Sequence, residues 1–413
     1  MSPTPRDSSS PGGQPASDVL DALESLRAND VDWRAGRAFS LTYLASREIL
    51  DLSERAYRAY AGENALNVDA FPSLRTMQSD VVAFVGSMLN APDPTSGFVT
   101  SGGTESLLMV SYAARRRSSV SGVPNIVLPT SAHAAFEKAC DYFGIEARRV
   151  PVRSDWRADV DAMAEEIDDN TVLLVGSAPQ YPQGVVDPII DLGELALDRG
   201  IPLHVDSCIG GMVLPFIDHP ESWDFRVPGV SSISVDMHKY GYSSKGAGVI
   251  IYRTQELRNA QVFMTDNRLG GLYGSSGMLG TKSGGPIASA WAVSRHLGID
   301  GYRKLARSAR STALLLADAI DAVSPLFVMT KPDSTLLVIG SRDARVPVSA
   351  VSAALRRRGW YVDQQGPPPS LHMTVSAGHA AVVDDFIADL RDSVSEAAQT
   401  VQPSELGSYG TVE

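Results

Sequence analysis

A lysine just past the end of an expected strand is where the chemistry of this chain first becomes readable. It sits in Ser234-Val235-Asp236-Met237-His238-Lys239-Tyr240-Gly241-Tyr242, where an apolar run stops at Asp-x-His-Lys and a Tyr/Gly loop follows. The carboxyl ends of parallel strands border the crevice in which ligands bind. An amine held there is partly withdrawn from water, which lowers its pKa and makes it a nucleophile able to form a Schiff base. Strand-end lysines are more commonly surface charges, so the reading depends on their company.

Three further segments supply that company. Thr100-Ser101-Gly102-Gly103-Thr104-Glu105-Ser106 precedes an apolar helical stretch at 107–114. Free N–H groups and the helix dipole at such a start favour an anion such as a phosphate. The Gly-Lys-Ser/Thr of a P-loop is missing, and Ser and Thr also act as plain helix caps. In Ser131-Ala132-His133-Ala134-Ala135-Phe136, a flat imidazole stands at a loop-to-helix junction, where it can stack on a planar ring or simply cap or pack. In His204-Val205-Asp206-Ser207-Cys208, a strand-end carboxylate can hold a protonated ring nitrogen or cap the next helix. The chain order is therefore phosphate cup, stacking His, acid, amine. An Asp on a pyridinium nitrogen together with a Schiff-base Lys is the protein's share of pyridoxal phosphate chemistry.

The elements that must position these residues follow from periodicity. Helical spacing of apolar residues predicts helices over 19–26, 40–60 and 73–89, with a loop at 64–72. Short apolar strands are expected at 125–128, 171–176, 202–205, 232–235 and 248–252, alternating with helices at 134–143, 159–167 and 190–199. That alternation implies an α/β architecture with a mostly parallel sheet covered on both faces. From about residue 300 a helix at 302–322 leads into strands at 335–339 and 371–375 and helices at 348–358 and 381–398, a small α+β unit. The expected division is a tail over 1–17, a helical segment over 18–71, a large cofactor-binding domain over 72–300, a small domain over 301–400 and a frayed end over 401–413.

Composition narrows the function classes. The 413 residues are 44% hydrophobic and 20% charged, with a net charge of −12. A nucleic-acid binder carries a basic excess, and here the dense basic runs Arg115–Arg117 and Arg356–Arg358 read as solvated helix ends. Two cysteines, Cys140 and Cys208, fit a reducing compartment and offer no metal-ligand spacing. No stretch approaches the ~20 apolar residues of a membrane span. Neither His-Glu-x-x-His nor Gly-x-Ser-x-Gly occurs, so no zinc hydrolase or serine hydrolase is expected. The expected setting is cytoplasmic, with no metal and no nucleic-acid partner.

The assembled motifs resemble the pyridoxal-phosphate-dependent lyases of the sphingosine-1-phosphate lyase type, within the decarboxylase-like group of the aspartate aminotransferase fold (fold type I). The resemblance runs over nearly the whole chain after the tail: residues 97–106, 131–136, 202–206, 224–227 and 238–242, then Gly270-Gly271-Leu272-Tyr273, Gly284-Gly285 and Pro367-Pro368 to His372. It implies a large domain with a mostly parallel seven-stranded sheet and a small α+β C-terminal domain. It implies that Lys239 carries the Schiff base, Asp206 pairs with the pyridine nitrogen, and His133 stacks on the ring. Gly103, Thr104 and His238 would bind the cofactor phosphate. Ser283 and Gly284, in Thr281-Lys282-Ser283-Gly284-Gly285, would complete that site from a neighbouring subunit of a homodimer. Tyr43, Tyr181 and Lys245 would serve the substrate and proton transfer, and Asn67 would meet the substrate where the family commonly has a His. The group's amino-acid decarboxylases usually carry a Trp after the Lys, so Tyr240-Gly241-Tyr242 favours the lyase branch. The implied reaction is retro-aldol cleavage of a phosphorylated 2-amino-3-hydroxy compound to an aldehyde and phosphoethanolamine. The alternatives are amino-acid decarboxylation and an aldolase acting on a small hydroxy amino acid. Asn67, Lys282-Ser283 in place of Arg-Pro, and the lack of the animal members' amino-terminal membrane segment are departures.

Overall fold

The computed structural model describes residues 12–399. Most of the expected amino-terminal tail and all of the expected frayed end therefore lie outside the described residues. Helix α1 (Ala16–Leu26) already begins inside the stretch read as tail. Helices α2 (Arg47–Ala59) and α3 (Pro72–Met88) follow. The helix expected over 40–60 is shorter at its start, because Leu41 takes a left-handed backbone (φ 66°) and Ser46 caps α2 by accepting from the Ile49 N–H. Tyr43 thus lies on an irregular entry segment.

The main sheet is built from β1 (Ser96–Thr100), β2 (Asn125–Pro129), β3 (Glu146–Val150), β4 (Thr171–Ser177), β5 (Leu203–Asp206), β6 (Val230–Asp236) and β7 (Gly248–Tyr252). Its order is β1-β7-β6-β5-β4-β2-β3, with β7 antiparallel to both neighbours and the other pairs parallel. The strands of this sheet missed from sequence are β1 and β3; the half-exposed Glu146-Ala147-Arg148-Arg149 of β3 shows no apolar run. Helices α4 (Gly103–Arg117), α5 (Ala135–Phe143), α6 (Val160–Glu165) and α7 (Ile189–Arg199) connect the strands, and the short α8 (Gln255–Asn259) follows β7.

This topology decides where the chemistry sits. Because only β7 is reversed, β1, β2, β4, β5 and β6 all end on one edge, and each delivers its following loop there. Register fixes the neighbours: Thr100 lies opposite Gly248, and Gly248 opposite Asp236. Gly248 has to be a glycine for lack of space. A Cβ there would stand 2.8 Å from Asp236 Oδ1, from Gly102 Cα and from Thr100 Oγ1.

Beyond β7 a small hairpin, β8 (Phe263–Thr265) with β9 (Tyr273–Ser275), precedes the long α9 (Gly285–Asp321). The helix expected over 302–322 is therefore only the second part of a longer run, which breaks at Gly298 (φ 53°, ψ −172°). The smaller sheet has β10 (Leu326–Val328), β11 (Leu336–Ser341), β12 (Asp363–Gln365) and β13 (Ser370–Thr374) in the antiparallel order β10-β11-β13-β12. It packs on α10 (Val348–Arg357) and α11 (Val383–Ala397) around Trp360, Phe386 and Leu390. The two arginine runs end α4 and α10; Arg357 and Arg358 pair with Glu396. Among the described residues no helix is long and apolar enough to cross a membrane.

Candidate active site

At the carboxyl edge of the main sheet lies a cavity of about 390 Å³, within the range of small-molecule sites. Gly103, Thr104, His133, Asp206, His238, Lys239, Tyr43, Tyr181 and Lys245 all line it. Nine of the twelve residues singled out for the site thus share one space. Asn67, Ser283 and Gly284 do not. Asn67 is exposed and accepts from the N–H groups of Asp69 and Ala70, a turn-forming role. Ser283 donates to Ala61 O, and Gly284 packs against Leu74 at the start of α9.

The amine is set by the turn after β6. Lys239 N–H donates to Asp236 O, and Lys239 Nζ lies 3.1 Å from Asp236 Oδ2. The lowered lysine pKa expected from sequence is overturned here. Burial pushes the Lys239 amine down, but the Asp236 carboxylate, with Tyr43, Cys208 and Asp206 beyond it, holds it well above the usual lysine value. Asp236 is 2% exposed and belongs to the site, a role sequence reasoning did not assign. The signal was present: an Asp three residues before a Lys across a strand-end turn faces it.

Next to it, Asp206 ends β5. It accepts from Cys208 N–H at 3.1 Å and from Ser234 Oγ at 3.4 Å. Burial would raise its pKa, but His133, Lys239 and the Cys208 N–H outweigh that and hold it below the usual carboxylate range. Burial keeps the His133 imidazole neutral, pushing its pKa down against the opposing pull of Asp206. Its Nδ1 accepts from Ala135 N–H at 3.0 Å, so the proton is placed on Nε2. His238 holds Nδ1–H on Ala247 O at 2.8 Å, and burial lowers its pKa as well.

The cup is the first turn of α4, whose N–H groups have no intrahelical acceptor. Gly102 takes φ 138°, and a Cβ there would lie 2.7 Å from His238 Cε1. Only glycine brings the backbone so close to His238. Glu105, 5% exposed, accepts from Ser101 N–H at 2.5 Å and from Met278 N–H at 2.7 Å, tying the cup to the loop after β9. Sequence reading left Glu105 without a role.

Tyr181 and Tyr43 close the mouth. The 178–187 loop is pinned by Asp187, whose carboxylate accepts from Ser177 and Ala158 N–H groups; burial raises its pKa to about 6 despite them. The Tyr181 ring packs on His372 of β13, centroids 4.1 Å apart. Lys245 Nζ lies 5.0 Å from the centre of the Tyr43 ring and donates to Leu41 O at 2.8 Å. Burial, and then the Lys239 charge, push its pKa down to about 8, partly opposed by Asp236.

These groups fit a flat cationic heterocycle with an anionic tail. Asp206 is a buried ionised acceptor, Lys239 an amine within the same space, and the α4 terminus an open set of donors. Asp236 Oδ1 is buried without a hydrogen-bond partner, so the site has acceptor capacity to spare. In such a site Lys239 would hold the pyridoxal phosphate aldehyde, Asp206 the ring nitrogen, and Gly103 and Thr104 the phosphate.

Comparison with known proteins agrees with this fit. Residues 42–339 match the pyridoxal-dependent decarboxylase conserved domain. The chain is 36% identical to the rat (Rattus norvegicus) sphingosine-1-phosphate lyase 1 over 393 residues, covering 93% of this chain and 69% of the rat protein. It is also 36% identical to a probable L-tyrosine/L-aspartate decarboxylase of Methanothrix thermoacetophila, covering 91% of this chain and 94% of the other. The solved sphingosine-1-phosphate lyase of Burkholderia pseudomallei superposes with a TM-score of 0.87 at 34% identity, covering 97% of this chain and 94% of that one.

Proposed function

Because this chain belongs to the pyridoxal-dependent decarboxylase family, it is a pyridoxal-phosphate-dependent lyase, and we propose that it cleaves a phosphorylated 2-amino-3-hydroxy compound between Cα and Cβ. The activity is sphingosine-1-phosphate lyase-like and releases an aldehyde and phosphoethanolamine. The observation that carries the substrate side of this reading is the second cation: Lys245 stands over Tyr43 at the mouth of the cavity that holds Lys239 and Asp206.

When bound, pyridoxal phosphate supplies an electrophilic aldehyde for the substrate amine and a ring that accepts the electrons of the broken C–C bond. Asp206, ionised, would keep the ring nitrogen protonated. His133, kept neutral by burial, would stack on the ring without competing for that proton. For taking the substrate hydroxyl proton and returning one to Cα, the candidates in the cavity are Lys239 Nζ, Lys245 Nζ in its neutral form and Tyr181 Oη. The Lys245 ammonium, held over the Tyr43 ring, would meet the substrate phosphate.

We propose a homodimer in which Ser283, Gly284 and Asn67 of one chain serve the partner's cavity. Two facts support that reading: all three lie outside the cavity of their own chain, and Leu269 and Leu272, ahead of Ser283 and Gly284 in the chain, are exposed. A cytoplasmic setting is proposed because both cysteines are free and buried.

The test is product analysis by mass spectrometry with cofactor-loaded protein and a phosphorylated sphingoid base. Release of phosphoethanolamine and a long-chain aldehyde is expected, and would show that Asn67 does not prevent phosphate recognition. The similarity to the Methanothrix protein keeps amino-acid decarboxylation as the second reading. Carbon dioxide from tyrosine or aspartate, with no aldehyde from the phosphorylated base, would replace the first reading by the second.

Lys245 also predicts a pH dependence. With its pKa at about 8, the group is a cation at neutral pH and loses its charge as pH rises through that value. KM for the phosphorylated substrate should therefore climb above pH 8 in the wild type. In Lys245→Arg, whose guanidinium stays charged, the climb should disappear. A KM that stays flat across pH 8 in the wild type would remove Lys245 from the phosphate site.

A further inference from the structure

Strand β5 carries His204 and Asp206 two residues apart, and β6 carries Ser232 and Ser234 at the same spacing. The strands are parallel, with His204 paired to Ser232 and Asp206 to Ser234. Residues two apart along a strand share a face, so the four side chains form a ladder on one face of the sheet. Hydrogen bonds zigzag along it. Ser232 Oγ lies 2.8 Å from His204 Nδ1, His204 Nε2 lies 3.1 Å from Ser234 Oγ, and Ser234 Oγ lies 3.4 Å from Asp206 Oδ1. All four residues are buried, and the Phe136 ring stands edge-on to the imidazole with centroids 6.2 Å apart.

The carboxylate at one end sets the direction of every proton in the chain. Asp206 is ionised and can only accept, so the Ser234 hydroxyl gives it its single proton. Ser234 Oγ is then an acceptor toward His204, which places the imidazole proton on Nε2. His204 Nδ1 is left bare and accepts from the Ser232 hydroxyl. The other tautomer, with Nδ1–H on Ser232, would claim the Ser234 proton for Nε2 and take it from Asp206. Burial pushes the His204 pKa down to about 4 against the pull of Asp206, so the ring carries one proton at neutral pH. The Cys208 thiol donates into Ser234 Oγ at 3.3 Å, and the Cys208 N–H reaches Asp206 Oδ1 at 3.1 Å. All these donors point toward the carboxylate, and aligned hydrogen bonds polarise one another in a low-dielectric interior. Ser234 and the Cys208 N–H both meet Oδ1, which leaves Oδ2 for a ring nitrogen.

We propose that His204 and Ser234 are positioning residues of the cofactor site, whose aligned dipoles end on Asp206 Oδ1, stabilise its negative charge and reserve Oδ2 for the pyridine nitrogen. Ser232 fixes the tautomer from the far end. The proposal rests on the pyridoxal phosphate reading and on Asp206 as the partner of the ring nitrogen. It does not depend on which substrate bond is broken. A histidine two residues before the acid, on the same face of β5, is what lets the carboxylate be braced from the neighbouring strand. A ring present only to fill the core would need no nitrogen at all.

The test reads the ring nitrogen directly, by NMR of the loaded protein carrying pyridoxal phosphate isotopically labelled at that atom. The wild type should show a protonated nitrogen at neutral pH. Ser234→Ala cuts the chain next to Asp206. It should move the signal toward the unprotonated position and lower kcat by about tenfold or more, with KM changed by less than about twofold. His204→Phe keeps a flat ring in the core but has no N–H, and should do the same. His204→Gln, whose amide can still donate to Ser234, should recover most of the loss. Because the chain acts through Asp206, Ser234→Ala in an Asp206→Asn background should change kcat by less than about twofold. A ring-nitrogen signal unchanged from wild type in Ser234→Ala, or losses that add in the double variant, would overturn the proposal. If His204→Phe does not fold, the smaller change Ser234→Ala still decides it. An unprotonated nitrogen in the wild type would overturn the assignment of Asp206 and the chain with it. The NMR measurement needs no substrate, so it stands even if the lyase reading gives way to decarboxylation.

Discussion

Lys239→Arg should abolish both covalent attachment of the cofactor and turnover, the latter by at least about a thousandfold. Arginine is the informative replacement. Asp236 is 2% exposed and sits 3.1 Å from Lys239 Nζ, so removing the cation outright would strand a buried carboxylate. Breaking such a pair costs about 3–5 kcal/mol, enough to confuse loss of chemistry with loss of fold. The guanidinium keeps the charge beside Asp236 and cannot act as the nucleophile at neutral pH. Borohydride reduction of the loaded wild type, followed by digestion and mass spectrometry, should place the cofactor mass on the peptide that contains Lys239. The same treatment of the variant should leave that peptide unmodified. Cofactor mass elsewhere in the wild type, or retained covalently by the variant, would remove Lys239 from its proposed role. Thermal melting should differ little between the two cofactor-free proteins.

What could be read in the sequence depended on whether a residue's environment is local. Strands β2, β4 and β7 are near-continuous apolar runs, and β5 and β6 mix apolar residues with His204 and small serines; all five are almost wholly buried, and that pattern survives without knowledge of neighbours. Strand β3 carries Arg148 and Arg149 at the sheet's edge, where they pair with Asp168 and Glu137, so its apolar signal is absent. Strand β1 is joined to the sheet only through β7, a pairing that spans some 150 residues of chain and leaves no periodic trace. The helix over 302–322 was visible from its apolar spacing. The preceding turns from Gly285 were not, because Gly, Pro and Ser there read as loop.

The site was legible in a similar, partial way. Strand-end residues announce themselves once parallel strands are recognised, which is how Asp206 and Lys239 stand out. Tyr43, on an irregular segment, came only through resemblance. The charge on Lys239 was misjudged because burial was counted and Asp236 was not.

Asp206→Asn is the substitution that separates holding the cofactor from using it. Asparagine has the same shape, and its carbonyl oxygen can still accept from the Cys208 N–H that now lies 3.1 Å from Oδ1. What it loses is the negative charge. A neutral amide does not hold a ring nitrogen protonated, and an unprotonated ring is a poor acceptor for the electrons freed by C–C cleavage. The chain gains no compensation from neighbours, because His133 and His204 are themselves kept neutral by burial. The expected result is a fall in kcat on the order of a thousandfold, with KM changed only slightly and the cofactor still attached to Lys239. Asp206→Glu, which restores charge at an altered reach, should recover part of the loss. Stopped-flow kinetics with cofactor content measured in the same samples decides the matter. A kcat within about tenfold of wild type would mean that protonation of the ring is not what Asp206 provides. Loss of the cofactor together with activity would instead make Asp206 a residue of binding, with its charge serving to retain the ring rather than to draw electrons into it.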